Sequence, residues 1–170
     1  MNNKRAFFAA CLMMIGATAV SAWAAPANAK GTVGAKLPSP TLNKSFTVPA
    51  NSIAPGVCPF DVQVDLAGQV QPIPLPGNRF IITSSGLNVT VTNLSDPSKT
   101  VTLNISGSVS TSVQNGNTVT VATNRNLVAD PVAGLSLSIG TFSIVFDGAG
   151  NLIQPFTGQG TLTDVCKLIS

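Results

Sequence analysis

Apolar and polar residues alternate with a period of two over most of this chain from residue 58 onward. Such alternation is typical of strands that bury one face and expose the other to water. The apolar members of the alternating stretches are Cys58, Phe60, Val62, Val64 and Leu66; Leu87, Val89 and Val91; Val101, Leu103 and Ile105; Val119 and Val121; Leu135, Leu137 and Ile139; and Phe142, Ile144 and Phe146.

Three further stretches carry other strand signals. Residues 79–83 contain three consecutive apolar residues, which predicts a strand covered on both faces. Residues 152–156 and 161–166 are weaker strand predictions, and residues 164–169 are expected to form a short final turn. No stretch has the 3.6-residue period of a long helix.

Turn residues separate these stretches. Asn115-Gly116 indicates a tight hairpin, because Asn and Gly accept positive φ at low cost. Asp96-Pro97 and residues 147–151 mark two more bends, and Gly158-Gln159-Gly160 also has the composition of a turn. Eight or nine short antiparallel strands predict an all-β fold, either a β-sandwich of immunoglobulin-like architecture or a small barrel.

The first 29 residues have the pattern of a cleavable secretory signal peptide. Lys4 and Arg5 form a positive head, an uncharged apolar core follows, and the small residues at 27–29 fit a cleavage site between Ala29 and Lys30. The apolar core is shorter than the ~20 residues that cross a bilayer, so we expect no transmembrane segment after cleavage. Ala22-Trp23-Ala24 is a second candidate cleavage site.

Residues 30–57 form a Pro-, Ser- and Gly-rich segment, which we interpret as a flexible or extended arm. Prolines remove backbone donors and fix φ, so neither a regular helix nor a central strand is expected there. Phe46 and Val48 alternate with polar neighbours, a pattern that would let the arm lie along the domain. Residues 58–170 then form a single β-domain.

Two cysteines remain after the leader, Cys58 and Cys166. An even number in an exported chain predicts a disulfide, here one that joins the first strand of the domain to the last. Closing so long a loop stabilises the fold by about 4–5 kcal/mol in the chain-entropy model. A redox or metal-binding pair is the alternative, but no histidine or third cysteine and no Cys-x-x-Cys spacing accompanies it.

The amino-acid composition argues against several classes of function. The mature chain has no His, Glu, Tyr, Trp or Met, and residues 58–170 hold six Asp against four Lys and Arg, a net charge of −2. A domain without a basic stripe is not expected to bind nucleic acid. Nucleophilic hydrolysis needs a base beside the nucleophile, and histidine, the usual base, is missing.

Two sets of acidic residues are candidate sites. Asp61 and Asp65 share one strand face roughly 13 Å apart at about 3.3 Å per residue, which is too far for paired carboxylates, so we interpret them as a solvated face that discourages edge pairing. Asp147 with Asn151 offers oxygen ligands for calcium, but a hairpin turn explains this loop better. We therefore assign no catalytic residue, no metal ligand and no cofactor.

Several motifs resemble those of a known group of proteins. They are CPFDVQVDLAG at 58–68, LNVTVTNLSDPSKTVTLNISG at 87–107, Asn124 to Leu127, FSIVFDGAGNLIQPFTGQG at 142–160 and Asp164-Val165-Cys166. Together they resemble small secreted actinobacterial β-domain proteins with one disulfide that remain functionally uncharacterised. The resemblance supports export and the disulfide and transfers no site residues.

The sequence thus predicts a secreted, non-enzymatic β-domain with a structural or interaction role outside the cell or at the cell envelope. Its partner is expected to be a protein or a component of the envelope. One alternative is a carrier that holds a small apolar ligand inside a barrel. A third hypothesis is a hydrolase that uses aspartates alone.

Overall fold

The structure is a computed structural model that describes residues 41–51, 57–77, 79–130 and 133–170. The predicted signal peptide and its cleavage site lie outside these residues. The predicted all-β class is confirmed, because the described residues form antiparallel strands and one short helix. The elements are β1 Thr41–Val48, β2 Val62–Leu75, β3 Arg79–Asn93, β4 Thr100–Asn104, β5 Gly107–Gln114, β6 Asn117–Asp130, β7 Gly134–Phe146, β8 Leu152–Asp164 and α1 Val165–Leu168.

The strands follow one another across a single sheet in the order β1-β2-β3-β5-β6-β7-β8. β4 pairs with β3 through residues 88–92 of β3, and β5 pairs with β3 through residues 80–83. β4 and β5 therefore lie end to end beside the same strand. Apart from β4 and β5, each strand pairs with the next along the chain, which is the arrangement that short hairpin turns produce.

The hairpin predicted at Asn115-Gly116 is confirmed. Gln114 pairs with Asn117 across a two-residue loop, in which Asn115 has φ 52° and Gly116 has φ 78°. Positive φ at both loop residues matches the right-handed twist of the flanking strands.

The predicted arm contains a strand. Residues 41–48 form β1, which pairs in continuous register with β2 from Thr41 opposite Gln69 to Val48 opposite Val62. Val48 is buried in the core, and Phe46 packs against it. This part of the arm lies along the domain as a strand of the sheet rather than as flexible chain.

A row of glycines and one asparagine crosses the four strands from β5 to β8. Gly107 pairs with Asn124, Asn124 with Gly140, and Gly140 with Gly160. Asn124, Gly140 and Gly160 have φ of 67°, 139° and 140°, which only glycine and a few polar residues adopt readily. On β2, Gly68 lies where the register with β3 shifts. The backbones change direction along this row.

The larger of two apolar clusters joins strands that are not neighbours in the sheet. Val64 of β2 and Leu87 of β3 share it with Leu135 of β7, which pairs only with β6 and β8. The sheet therefore curls so that these side chains meet across a core, where each buried Val or Leu contributes about 1.5–3 kcal/mol. A smaller cluster surrounds Phe142 and Phe156, whose rings stack with centroids 5.1 Å apart.

The C-terminus closes over the larger cluster. The predicted final turn is confirmed as α1, whose N-cap Asp164 accepts a hydrogen bond from the Lys167 N–H. Ile169 is fully buried. Buried Asn93 donates from Nδ2 to the Ile169 carbonyl at 3.1 Å, so the end of β3 holds the chain terminus in place.

Two local predictions are wrong. Residues 79–83 were expected to be covered on both faces, but Arg79 and Phe80 are exposed, Phe80 at 38%, and residues 81–83 are only half-buried. Gly158-Gln159-Gly160 was expected to be a turn and instead lies within β8, where glycine is required by close contact with β7.

Candidate binding site at the free edge of strand β8

β8 is the last strand of the sheet and pairs with β7 alone. The far side of its backbone therefore meets no strand among the described residues. Residues 157–162 are all exposed. An edge of this kind presents unpaired N–H and C=O groups to solvent, and it is a template for pairing with another extended chain.

The other strand edges that have no neighbour among the described residues carry features that discourage such pairing. β1 has the exposed Lys44 near its centre. Beyond Gln69, where β1 ends, the remainder of β2 contains Pro72 and Pro74, which have no N–H to offer a new strand. Charge and proline are the common means by which natural sheets keep their edges from pairing.

The edge of β4 is short and partly occupied. The strand has five residues, and Arg125 reaches its last carbonyl, donating from Nε to the Asn104 oxygen at 3.0 Å. A partner strand would have to displace this charge-assisted bond. β4 is therefore a poorer template than β8.

β8 lacks these protective features over eight consecutive residues. Between Pro155 and Asp164 the segment 156–163 contains no charged residue and no proline. Leu162 is 40% exposed, and Ile139 of β7, which pairs with Thr161, is 37% exposed. An uncharged edge next to exposed apolar side chains can give a docked strand both backbone hydrogen bonds and apolar contact.

The backbone of β8 is held firmly by β7. A methyl carbon added at Gly158 would overlap the Thr141 carbonyl oxygen, and one added at Gly160 would overlap the Ile139 carbonyl oxygen. The two strands approach this closely only because both positions are glycine. The free edge is thus fixed in place before any partner arrives.

The predicted disulfide between Cys58 and Cys166 is confirmed, with Cα atoms 5.3 Å apart and a separation of 108 residues. Its place differs from the prediction in one respect. Cys58 lies just before β2, which is the second strand of the sheet, and Cys166 lies in α1, after the last. The prediction of a first-to-last link missed β1, because the proline-rich composition of residues 30–57 concealed that strand.

Asp61 and Asp65 hold β1 against β2. The Asp65 carboxylate accepts a hydrogen bond from the Ser45 hydroxyl, and the Asp61 carboxylate accepts one from the Ala50 N–H at 2.6 Å. The interpretation that these carboxylates discourage pairing at an edge is wrong, since β2 has a strand on each side over this stretch.

Asp147 and Asn151 form the hairpin turn that the sequence favoured. The Asp147 carboxylate accepts bonds from the N–H of Ala149 and from both the N–H and the side-chain amide of Asn151. These bonds lower the pKa of Asp147, the Asn151 side chain contributing most. Within the described ranges, no cluster of three or more His, Cys, Asp or Glu side chains could hold a metal ion.

The Asn151→Ala substitution is expected to raise the pKa of Asp147 toward its ordinary value of 3.8, because it removes the largest cause of the shift. In the native protein this group stabilises the fold above its unfolded-state pKa, and that contribution is lost as pH falls through the lower folded-state value. Carboxyl carbon shifts followed by NMR between pH 2 and pH 6 measure the midpoint. A native midpoint at or above 3.8 would contradict this, and Gln114→Ala in the other hairpin is the control.

A second surface, the outer face of β1 to β4, is polar and regular. Its side chains stand in rows across the strands and bond to one another: Thr47 with Gln63, Gln63 with Ser45, Thr90 with Thr102 at 3.0 Å, and Thr92 with Thr100 at 2.8 Å. Cross-strand threonine pairs of this kind stabilise a solvated sheet face. Because these groups already satisfy one another, the face offers fewer free donors to a partner than the β8 edge does.

The sequence matches no protein-family model, and neither the curated proteins nor the solved structures contain a match to it. The resemblance to secreted actinobacterial β-domains therefore stays a prediction. No helix within the described part of the chain is long and apolar enough to span a bilayer. The candidate site consequently rests on the geometry of β8 itself, and this edge was not foreseen from the sequence.

Proposed function

We propose that this protein is an exported, non-enzymatic binding domain that takes an extended polypeptide segment along the free edge of β8. The observation that carries the proposal is the contrast between edges. Residues 157–162 are exposed, and the whole segment 156–163 is uncharged and free of proline, whereas β1 carries Lys44 and the distal part of β2 carries Pro72 and Pro74.

Strand addition suits the chemistry that β8 presents. Alternate residues of an edge strand direct their N–H and C=O groups outward, so an incoming strand gains a ladder of backbone hydrogen bonds. Side chains that flank the ladder supply selectivity, and here they are Leu162, Thr161 and Gln159. Each such hydrogen bond contributes a net ~0.5–1.5 kcal/mol, so several are needed for a stable complex.

Export is supported by the disulfide. Cys58 and Cys166 are bonded, and such links persist in oxidising compartments such as the cell exterior. Together with the predicted signal peptide, this favours a protein that acts outside the cytoplasm, in the medium or at the envelope.

Packing of the core favours an interaction role over the carrier alternative. The apolar faces of the strands pack into the two clusters around Leu87 and around Phe142. A carrier would instead use these faces to line a ligand cavity. We further infer that the sheet is arranged as a sandwich, with β2 and β3 in one layer and β7 in the other. Contact between the β2–β3 and β7 side chains without backbone pairing supports this arrangement.

Site-specific photo-crosslinking in cells that make the protein tests the proposal. A photoreactive side chain at Gln159 of β8 is expected to crosslink to an extended segment, and adding Thr161→Lys on the same edge is expected to abolish that product. The same photoreactive group at Thr102, an exposed position on β4, is the matched control.

The location of the crosslinks decides the outcome. Products that form at Gln159, disappear with Thr161→Lys and persist when the lysine is placed at Thr47 on β1 support strand addition at β8. Products that form equally at Thr102, or that survive Thr161→Lys, would overturn it. Mass spectrometry of the crosslinked peptides identifies which segment lies on the edge.

A further inference from the structure

We propose that the segment which docks on β8 is β8 of a second copy of this chain, so that two copies form a closed antiparallel dimer. This inference rests on the proposed function, because it uses the same edge. It adds the identity of the partner strand, its direction and its register.

The boundaries of the unprotected edge fix the register. Pro155 ends the segment on one side, since it has no N–H, and on the other side α1 begins after Asp164. The stretch from Phe156 to Asp164 pairs with itself about a two-fold axis only when that axis passes Gly160. Any other centre pushes Pro155 or the helix into the ladder, which costs backbone hydrogen bonds.

Side chains that this register brings together are compatible. Leu162 of each copy would lie opposite Gly158 of the other, so the exposed leucine covers a position that has no side chain. Thr161 would lie opposite Gln159, and Thr163 opposite Thr157. Polar cross-strand pairs of this kind each contribute roughly 0.2–1 kcal/mol relative to alanine.

Charge also favours a second copy. Asp164 of each copy falls opposite Phe156 at the two far ends of the ladder, so no like charges face each other. Lys167, whose side chain is 82% exposed, lies 3.7 Å from the Asp164 carboxylate of its own chain and balances it. The whole paired stretch is therefore neutral where the two copies meet, although residues 58–170 carry a net negative charge.

Pairing of β8 with β1 of another copy is the competing arrangement. It would bring the uncharged edge against a strand that presents Lys44 and ends at Pro49. A head-to-tail contact of this type also leaves a free edge at each end and propagates into open chains. The two-fold pairing of β8 uses the β8 edge of both copies and leaves free only edges with protective features, such as β1 with Lys44, so the assembly closes at two copies with the commonest symmetry of soluble oligomers.

Light scattering coupled to size exclusion, over a range of concentrations of the mature disulfide-bonded protein, tests this inference. The native protein is expected to be a dimer at high concentration and to dissociate on dilution. Thr161→Lys places a lysine on the shared edge in each copy and is expected to weaken dimerisation about tenfold or more. Thr102→Lys, the same change on the exposed face of β4, is the matched control and should leave the dimer intact.

Hydrogen exchange of the β8 amides gives an independent measurement. In the native dimer the amides between 157 and 163 that face away from β7 should exchange slowly, because they bond to the second copy. These amides should exchange fast in Thr161→Lys, while the amides of β6 stay protected. A native protein that is monomeric at all concentrations would overturn the proposed pairing of β8 with β8. A dimer that is unaffected by Thr161→Lys would overturn it as well. Crosslinking at Gln159 to a different polypeptide would then still support the proposed function, whereas the absence of any crosslink there would remove both.

Discussion

Replacing Gly160 by alanine is expected to lower the free energy of unfolding by roughly 2–6 kcal/mol, because a glycine-only backbone conformation and a steric overlap each cost about 1–3 kcal/mol. Gly160 has φ 140°, a region that is almost closed to other residues. The added methyl would overlap the Ile139 carbonyl oxygen and come within 2.9 Å of the Gly140 Cα. Both are backbone atoms, so no side-chain rotation relieves the contact and β7 must separate from β8.

Gly77→Ala is the matched control for this prediction. Gly77 also has a positive φ, 76°, but a methyl carbon there would have no atom within 4 Å. Its replacement should therefore cost only the ~1–2 kcal/mol of a left-handed conformation. Denaturant unfolding of the two variants measures the difference. Equal losses would contradict the idea that close strand approach requires glycine at Gly160.

If Gly160→Ala does not fold, that result is interpreted by comparison with a milder substitution at a neighbouring position. At concentrations at which the protein is monomeric, Thr161→Ala on the neighbouring exposed residue is expected to change the free energy of unfolding by less than about 0.5 kcal/mol, as is usual for surface positions. Folding of Thr161→Ala with failure of Gly160→Ala would locate the effect in the contact between the two backbones. Loss of folding in both would contradict it.

The strands with clean alternation were predictable from local chemistry alone. Val89 and Val91 alternate with threonines, and the period of two marks a strand whatever lies beside it. Asn115-Gly116 likewise specifies its hairpin through the φ preferences of two residues. The cysteine pair followed from the even number of thiols that remain after the predicted signal peptide. None of these predictions needed knowledge of which strands are neighbours.

What could not be predicted depends on strand order. β1 lies between two prolines, Pro40 and Pro49, whose presence outweighed the alternation of Phe46 and Val48 with polar neighbours. Gly158-Gln159-Gly160 has the composition of a turn, and only the approach of β7 explains glycine inside a strand. The candidate site depends on β8 being the last strand of the sheet, which is a property of the pairing and not of its sequence. The protective features of the other edges gain meaning only after that order is known.

Removal of the disulfide by changing both Cys58 and Cys166 to alanine is expected to lower the free energy of unfolding by about 4–5 kcal/mol in the chain-entropy model. The bond spans 108 residues, so it removes a large part of the freedom of the unfolded chain. Because the effect acts on the unfolded state, the strands of the folded protein should be unchanged. The unfolded chain becomes less compact, so the denaturant dependence of the free energy should steepen.

Reduction of the disulfide in the unaltered protein separates two contributions to the free energy of unfolding, that of the covalent bond and that of the packing of the two cysteine side chains. Both cysteines are buried, so alanine also removes two sulfur atoms from the core. The reduced protein keeps those atoms and loses only the bond. If the link dominates, the reduced protein and the double variant should lose similar stability. Retention of nearly full stability on reduction would assign the loss to packing and contradict the entropic account.

The position of the bond predicts where opening begins once it is removed. α1 has only four residues, too few to be stable alone, and it is held by the disulfide, by burial of Val165 and Ile169, and by the Asn93 hydrogen bond to the Ile169 carbonyl. Without the bond, amides of residues 165–169 should exchange faster than those of β3. Uniform acceleration across the sheet would instead mean that the link constrains only the globally unfolded chain.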